Sequence, residues 1–269
     1  MIGWAWLTLV VLVPLVDGLL EPYFIRTIKK SIWDKDIPPA FDKKKIVFIS
    51  DIHHGIYFYR ARLRRLVKRI NRLKPDIIIL GGDYVHKHKV FISSCFEELR
   101  DLKARLGIFA VLGNHDHWVD AELIRKYLKR CGFILLENEG YWLTLVDQKI
   151  KIGGTRDLWW DDPDIRPIIK DVSENDFVIL VSHNPDLAEE IKNKKIDLVL
   201  AGHTHGGQVT FFGLWAPIVP SRYGQKYRSG VVKTPYTKVI ISKGIGTISP
   251  PFRFFCRPDF YLLTLRKRK

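Results

Sequence analysis

The stretch LVLAGHTHGGQV, residues 198–209, ends an apolar run in two histidines, His203 and His205, spaced two apart and flanked by glycines. A single histidine there would read as a core residue. Two at that spacing, where glycine allows the backbone to turn sharply, read as ligands. Four further runs have the same form: KIVFIS, DIIILGG, IFAVLGN and FVILVSH. Each is too short for a helix and suits a strand buried on both faces.

The residues directly after each run carry the chemistry. KIVFIS leads into Asp51 and His53, and DIIIL into Gly81, Gly82 and Asp83. IFAVL leads into Gly113, Asn114, His115 and Asp116, and FVILVS into His183. In open α/β sheets ligands bind beyond the carboxyl ends of strands, so five strand ends deliver these side chains to one rim. All nine histidines lie in these segments or within five residues of one. For His54, His86, His88 and His117 a surface or supporting position is expected rather than ligation.

More β-like runs occur at YWLTLV, KIKIGG, KVIISKG and FYLLTL. Residues 57–74 read as an amphipathic helix, with Leu63, Leu66, Val67, Ile70 and Leu73 on one face and a series of arginines on the other. Strands with interleaved helices predict an α/β domain of two packed sheets. The 269 residues, 46 % of them hydrophobic, suffice for a sizeable core and exclude bulk disorder. Three dispersed cysteines with no CxxC speak against a disulfide framework and for a reducing compartment.

The first twenty residues, MIGWAWLTLVVLVPLVDGLL, carry one ionisable side chain, Asp17, and are long enough to cross a bilayer. No Lys or Arg precedes the apolar run, unlike a secretory signal; basic residues come after it, which predicts that the later chain stays cytoplasmic. A helix lying in the interface is the alternative, given Pro14 and Asp17. The expected organisation is an anchor over 1–20, a juxtamembrane linker over 21–44 and one domain over 45–269. The net charge of +15 suits an anionic partner or a solvated basic exterior. With the anchor, the expected partner is an anionic membrane surface, held partly by the basic face of 57–74, and nucleic acid is not expected.

The ordered set D-x-H, GGD, GNHD, H and GHTH resembles the calcineurin-like metallophosphoesterases over residues 45–265. GGTRDLWW, SHNPD, GHTHGGQV, PSRYGQKYRSG and SKGIGT are similar to its small membrane-associated bacterial branch, the YaeI/YkuE-like phosphodiesterases, which includes UDP-2,3-diacylglucosamine pyrophosphatases. The resemblance implies a four-layer α/β/β/α sandwich and a dinuclear metal site. Asp51, His53 and His205 would complete one metal's ligands and Asn114, His183 and His203 the other's, with Asp83 bridging. Imidazole, amide and carboxylate donors together suit Mn, Fe or Zn, and two Mn²⁺ ions are the favoured pair. His115 would face the leaving-group oxygen, and Asp116 would orient it. Arg222, Lys226 and Arg228 form a basic loop that would meet a phosphate or nucleotide. A lipid-linked nucleotide diphosphate, UDP-2,3-diacylglucosamine, is the expected substrate at the cytoplasmic face of the inner membrane. A broad phosphodiesterase, a nuclease and a non-enzymatic metal-binding scaffold are the other readings, and the complete ligand set speaks against the scaffold.

Overall fold

The computed structural model describes residues 14–268. Two six-stranded sheets face each other. The first runs β1 (Arg26–Asp34), β12 (Asp259–Lys267), β2 (Lys45–Ile49), β3 (Ile77–Leu80), β4 (Gly107–Ala110) and β5 (Ile134–Leu135). The second runs β10 (Gly230–Lys233), β11 (Lys238–Ile241), β9 (Leu198–Ala201), β8 (Val178–Val181), β7 (Gln148–Gly154) and β6 (Glu139–Leu145).

Side chains alternate across each strand, so one strand feeds two cores. In β2, Ile46 and Phe48 enter the core between the sheets, with Ile79, Ile152, Val181 and Leu200. Val47 and Ile49 point the other way, against the helix Arg60–Arg72 and its neighbours Phe91–Leu99 and Ala121–Arg130. The outer face of the second sheet packs Val178, Leu180 and Val199 under Ile168 and Leu187, from the short helix Arg166–Ile169 and the 3₁₀ turn Pro185–Glu189. The layers are therefore helix, sheet, sheet, helix.

The apolar run of residues 1–20 falls mostly outside the described residues. Residues 14–20 are helical. Among the described residues no helix is long and apolar enough to cross a membrane. The stretch 21–44, expected as a linker, is instead built into the domain. β1 pairs parallel with β12 from Arg26 opposite Asp259 to Asp34 opposite Lys267.

Part of the basic face of Arg60–Arg72, expected to meet lipid, is engaged within the protein. Arg60 and Arg64 donate to the Glu98 carboxylate, Arg62 to the carbonyl of Pro22, and Arg69 to that of Ile25. These contacts fix the N-terminal strand and the neighbouring helix, while Arg65, Lys68 and Arg72 stay exposed on the same helix.

Candidate metal centre

β2, β3 and β4 are mutually parallel, as are β8 and β9, so their carboxyl ends share one edge of the sandwich. That edge collects Asp51, His53, Asp83, Asn114, His183, His203 and His205, all buried. Five of them, Asp51, His53, Asp83, His203 and His205, have positive φ between 44° and 67°. Non-glycine residues rarely hold this conformation, and it turns side chains inward immediately after a strand. The glycines beside them make room. A Cβ at Gly113 would lie 2.3 Å from Asp83 Oδ1, and one at Gly202 would lie 2.2 Å from Asp51 Oδ2.

Two sets of donor atoms result. His53 Nε2 lies 3.0 Å from His205 Nε2 and 3.4 Å from Asp83 Oδ2, and His205 Nε2 lies 3.4 Å from Asp51 Oδ1. One ligand atom from each of Asp51, His53, Asp83 and His205 lies within 4.8 Å of the others. In the second set Asn114 Oδ1 is 3.1 Å from His183 Nε2 and 3.0 Å from His203 Nδ1. Asp83 Oδ2, 3.3 Å from His183 Nε2, belongs to both sets. This is the position expected of a bridging carboxylate.

The donors fit divalent metal. Ligands roughly 2.0–2.2 Å from a common ion are separated from one another by the spacings seen here. Burial pushes His53 and His205 well below the ordinary imidazole value and His203 down to about 3, so these rings are neutral with lone pairs to offer. Burial also raises Asp51 to about 6, opposed by His183. Burial opposes charge on His183, but Asp83 and then Asp51 outweigh it and raise that imidazole well above its usual value. His183 Nδ1 lies 2.7 Å from the carbonyl of Gly81, which fixes Nε2 toward the site.

His115 sits half-buried at the mouth, its ring centroid 4.7 Å from that of His53 and 4.3 Å from that of Trp118. Its Nδ1 is buried and has no protein partner, and its backbone N–H donates to Asp83 Oδ1 at 2.8 Å. Asp116 does not orient it. The Asp116 carboxylate accepts instead from the backbone N–H groups of Asp83, Tyr84 and Gly113, at 2.8, 2.9 and 2.9 Å. All three donors lie on the ligand loops, so Asp116 clamps the loops and the imidazole is left to its aromatic neighbours.

The basic loop also departs from expectation. Lys226 pairs with Glu189, and Arg228 donates to the carbonyls of Gly213 and Leu214. Arg222 is held through its backbone N–H by Asp186. Lys226 and Arg228 thus have partners within the fold. His54 is satisfied by the carbonyl of Phe58 and the Ser94 hydroxyl, His88 is exposed, and His117 Nε2 faces Asp161 at 3.3 Å. His86 is buried with its ring 5.7 Å from that of His53.

Two further residues contribute, one of them, Trp159, from the LWW stretch whose sequence suits a substrate-facing loop and core packing equally. Arg253, fully buried, donates to the carbonyls of His205, Cys256, Lys243 and Gly246 and so pins the GHTH loop from behind. Trp159 sets its ring edge-on to His203, with centroids 4.2 Å apart. An arginine within an aromatic run carries no signal of its own until the fold brings it here.

Residues 44–207 match the model of the calcineurin-like phosphoesterases. The chain belongs to this family. As a calcineurin-like phosphoesterase it is a metal-dependent phosphoester hydrolase. It is similar to the metallophosphoesterase YkuE of Bacillus subtilis, 34 % identical over 253 residues that cover 92 % of this chain and 87 % of YkuE. It is likewise similar to the phosphodiesterase YaeI of Escherichia coli, 31 % identical over 251 residues covering 91 % and 90 % of the two chains. Among solved structures, the NAD nucleotidase of Haemophilus influenzae superposes with a TM-score of 0.51 at 17 % identity. That match covers 75 % of this chain and spans 50 % of the nucleotidase, and it bears on the fold alone.

Proposed function

We propose that this phosphoesterase cleaves a phosphoric anhydride or diester of a lipid-linked nucleotide at a membrane surface. UDP-2,3-diacylglucosamine, hydrolysed to the lipid monophosphate and UMP, is the substrate we favour. The observation that carries hydrolysis is the placing of Asp83 Oδ2, 3.4 Å from one imidazole set and 3.3 Å from the other. What supports the lipid is weaker in kind: the apolar residues 1–20 and the exposed aromatic side chains near the metal centre.

Asp51, His53 and His205 would hold one divalent ion and Asn114, His183 and His203 the other, with Asp83 between them; two Mn²⁺ ions are our proposal for the pair. When bound, such ions neutralise charge on the phosphoryl oxygens and activate water. The chain's own residues do the rest. Asp116 and Arg253 hold the ligand loops rigid, so the donors are placed before substrate arrives. Trp118 and His53 hold the His115 ring at the mouth, where it supplies a proton or hydrogen bond to the departing oxygen. Arg222 remains our only basic-loop candidate for a phosphate contact.

Purified full-length protein with Mn²⁺ should release UMP from UDP-2,3-diacylglucosamine faster than it cleaves CDP-diacylglycerol or bis-p-nitrophenyl phosphate. Equal rates on all three would favour a second reading, a broad phosphodiesterase; the YaeI relative is named a phosphodiesterase. No hydrolysis of any of them by metal-loaded protein would refute both.

A further inference from the structure

Immediately after the second metal ligand of the GHTH loop the chain forms a tight hairpin whose surface is apolar. The Phe211 N–H donates to the carbonyl of Trp215 at 2.7 Å and the Leu214 N–H to that of Phe211 at 2.9 Å. Phe212 and Gly213 supply the left-handed turn, with φ of 52° and 76°. The tip is braced from within and from outside: the Gly213 N–H donates to Thr210 Oγ1, and Arg228 donates to the carbonyl of Gly213 at 2.7 Å. A braced tip would ordinarily carry polar residues. Here Phe212 is 77 % exposed, Leu214 81 % and Ile218 75 %.

The hairpin is the end of a longer ridge. The Phe212 ring lies 5.2 Å from that of Phe255, Phe255 4.5 Å from Phe254, and Phe254 6.3 Å from Phe252. Phe252 packs against Gly18 of the helical residues 14–20, and the Arg253 N–H donates to the carbonyl of Gly18 at 3.0 Å. That helix exposes Leu15, Val16, Leu19 and Leu20. The ridge thus runs from the apolar N-terminal sequence to the hairpin without a break. Beside its N-terminal end sit exposed cations: Arg257, 5.6 Å over the Phe24 ring, and Arg26.

We infer that the hairpin of residues 210–218 inserts into a lipid bilayer as a second contact, separate from the N-terminal sequence. Continuity with the exposed apolar side chains of residues 14–20 names the occupant. Aromatic and leucine side chains flanked by arginine are what the headgroup and acyl boundary of an acidic leaflet accepts. The bracing removes conformational freedom in advance, so little order is lost on insertion. Because the hairpin comes within a few residues of His205, insertion sets the metal centre beside the lipid surface. The inference rests on the reading that the enzyme works at a membrane, and not on which lipid it cleaves.

The test uses the full chain, carrying Phe212→Cys, Leu214→Cys or Val146→Cys and an NBD label, with the unsubstituted chain as background. Val146, exposed in the turn between β6 and β7, is the aqueous control. On incorporation into phosphatidylglycerol–phosphatidylethanolamine vesicles, iodide quenching at 212 and 214 should fall several-fold, and nitroxide-labelled lipid should quench both. The label at 146 should respond to neither change. Undiminished iodide quenching at 212 and 214 overturns the inference. Protection that appears without vesicles and grows with protein concentration also overturns it, assigning the ridge to a second copy of the chain. Protected labels with no turnover of UDP-2,3-diacylglucosamine would remove that substrate and leave the inserted hairpin standing.

Discussion

The carboxylate of Asp116 accepts the backbone N–H of Asp83 at 2.8 Å, tying the helix start after β4 to the loop that carries the bridging ligand. With Tyr84 and Gly113 it satisfies three buried donors. Each such group left without a partner costs about 1–3 kcal/mol, so Asp116→Ala should destabilise the domain by about 3 kcal/mol or more. Metal affinity should fall with it, because the ligand loops lose their clamp. Thermal unfolding and metal content check this. A variant as stable and as metal-rich as the parent, yet slow, would return Asp116 to a role at the His115 ring.

Asp83→Ala should abolish hydrolysis and release both ions while the domain stays folded. One oxygen serves both donor sets, and the other accepts the His115 N–H at 2.8 Å. Metal analysis after gel filtration gives the answer. Two retained equivalents with retained turnover would show that no carboxylate bridge exists.

His115→Ala should lower kcat by about 10²–10⁴-fold with both metals in place, the range for loss of a positioned proton donor. Its ring touches His53 and Trp118, and its Nδ1 is free of protein partners, so the loss should reach chemistry and not metal binding. Loss of one metal equivalent would make His115 a ligand.

The donor atoms were legible because the buried parallel strands leave apolar runs, and each run is succeeded by its ligands within a few residues. β1 was not legible for the opposite reason. It is an edge strand, and in RTIKKSIWD only Ile32 is buried, so charged side chains hide its alternation. The partners of Asp116, Lys226 and Arg228 were not legible because a charged side chain in a motif looks the same whether it meets substrate or backbone. Partners close in space and distant in sequence decide that. Lys226 finds Glu189, 37 residues earlier, and Arg228 finds Gly213, 15 residues earlier.

Acid stability should depend on Glu98. The guanidiniums of Arg64 and Arg60 hold its carboxyl at about 2, below the ordinary 4.5. A depressed carboxylate stabilises the fold fully above about pH 4.5, and that contribution is lost as pH falls toward 2. The melting temperature of Glu98→Gln should therefore lie below that of the parent at neutral pH, with the gap closing between about pH 4.5 and 2. A gap that stays constant across this range would mean the ion pairs contribute nothing through charge.

The N-terminal boundary can be tested by two deletions. Removing residues 1–13 leaves the Gly18 carbonyl to accept from Arg253, Pro22 to accept from Arg62, and β1 whole beside β12. Hydrolysis of bis-p-nitrophenyl phosphate should stay within about twofold, since every metal ligand lies at or beyond Asp51. Removing residues 1–30 cuts β1 in its middle. Arg62 and Arg69 lose the carbonyls of Pro22 and Ile25, leaving a buried and a half-buried guanidinium without these acceptors, and β12 loses most of its parallel partner. Several kcal/mol should go with these contacts, and at roughly 2–4 °C per kcal/mol for a domain of this size the melting temperature should drop by about 10 °C. If the two truncated proteins melt within about 2 °C of each other, residues 14–30 are a linker after all, and the domain begins near residue 45.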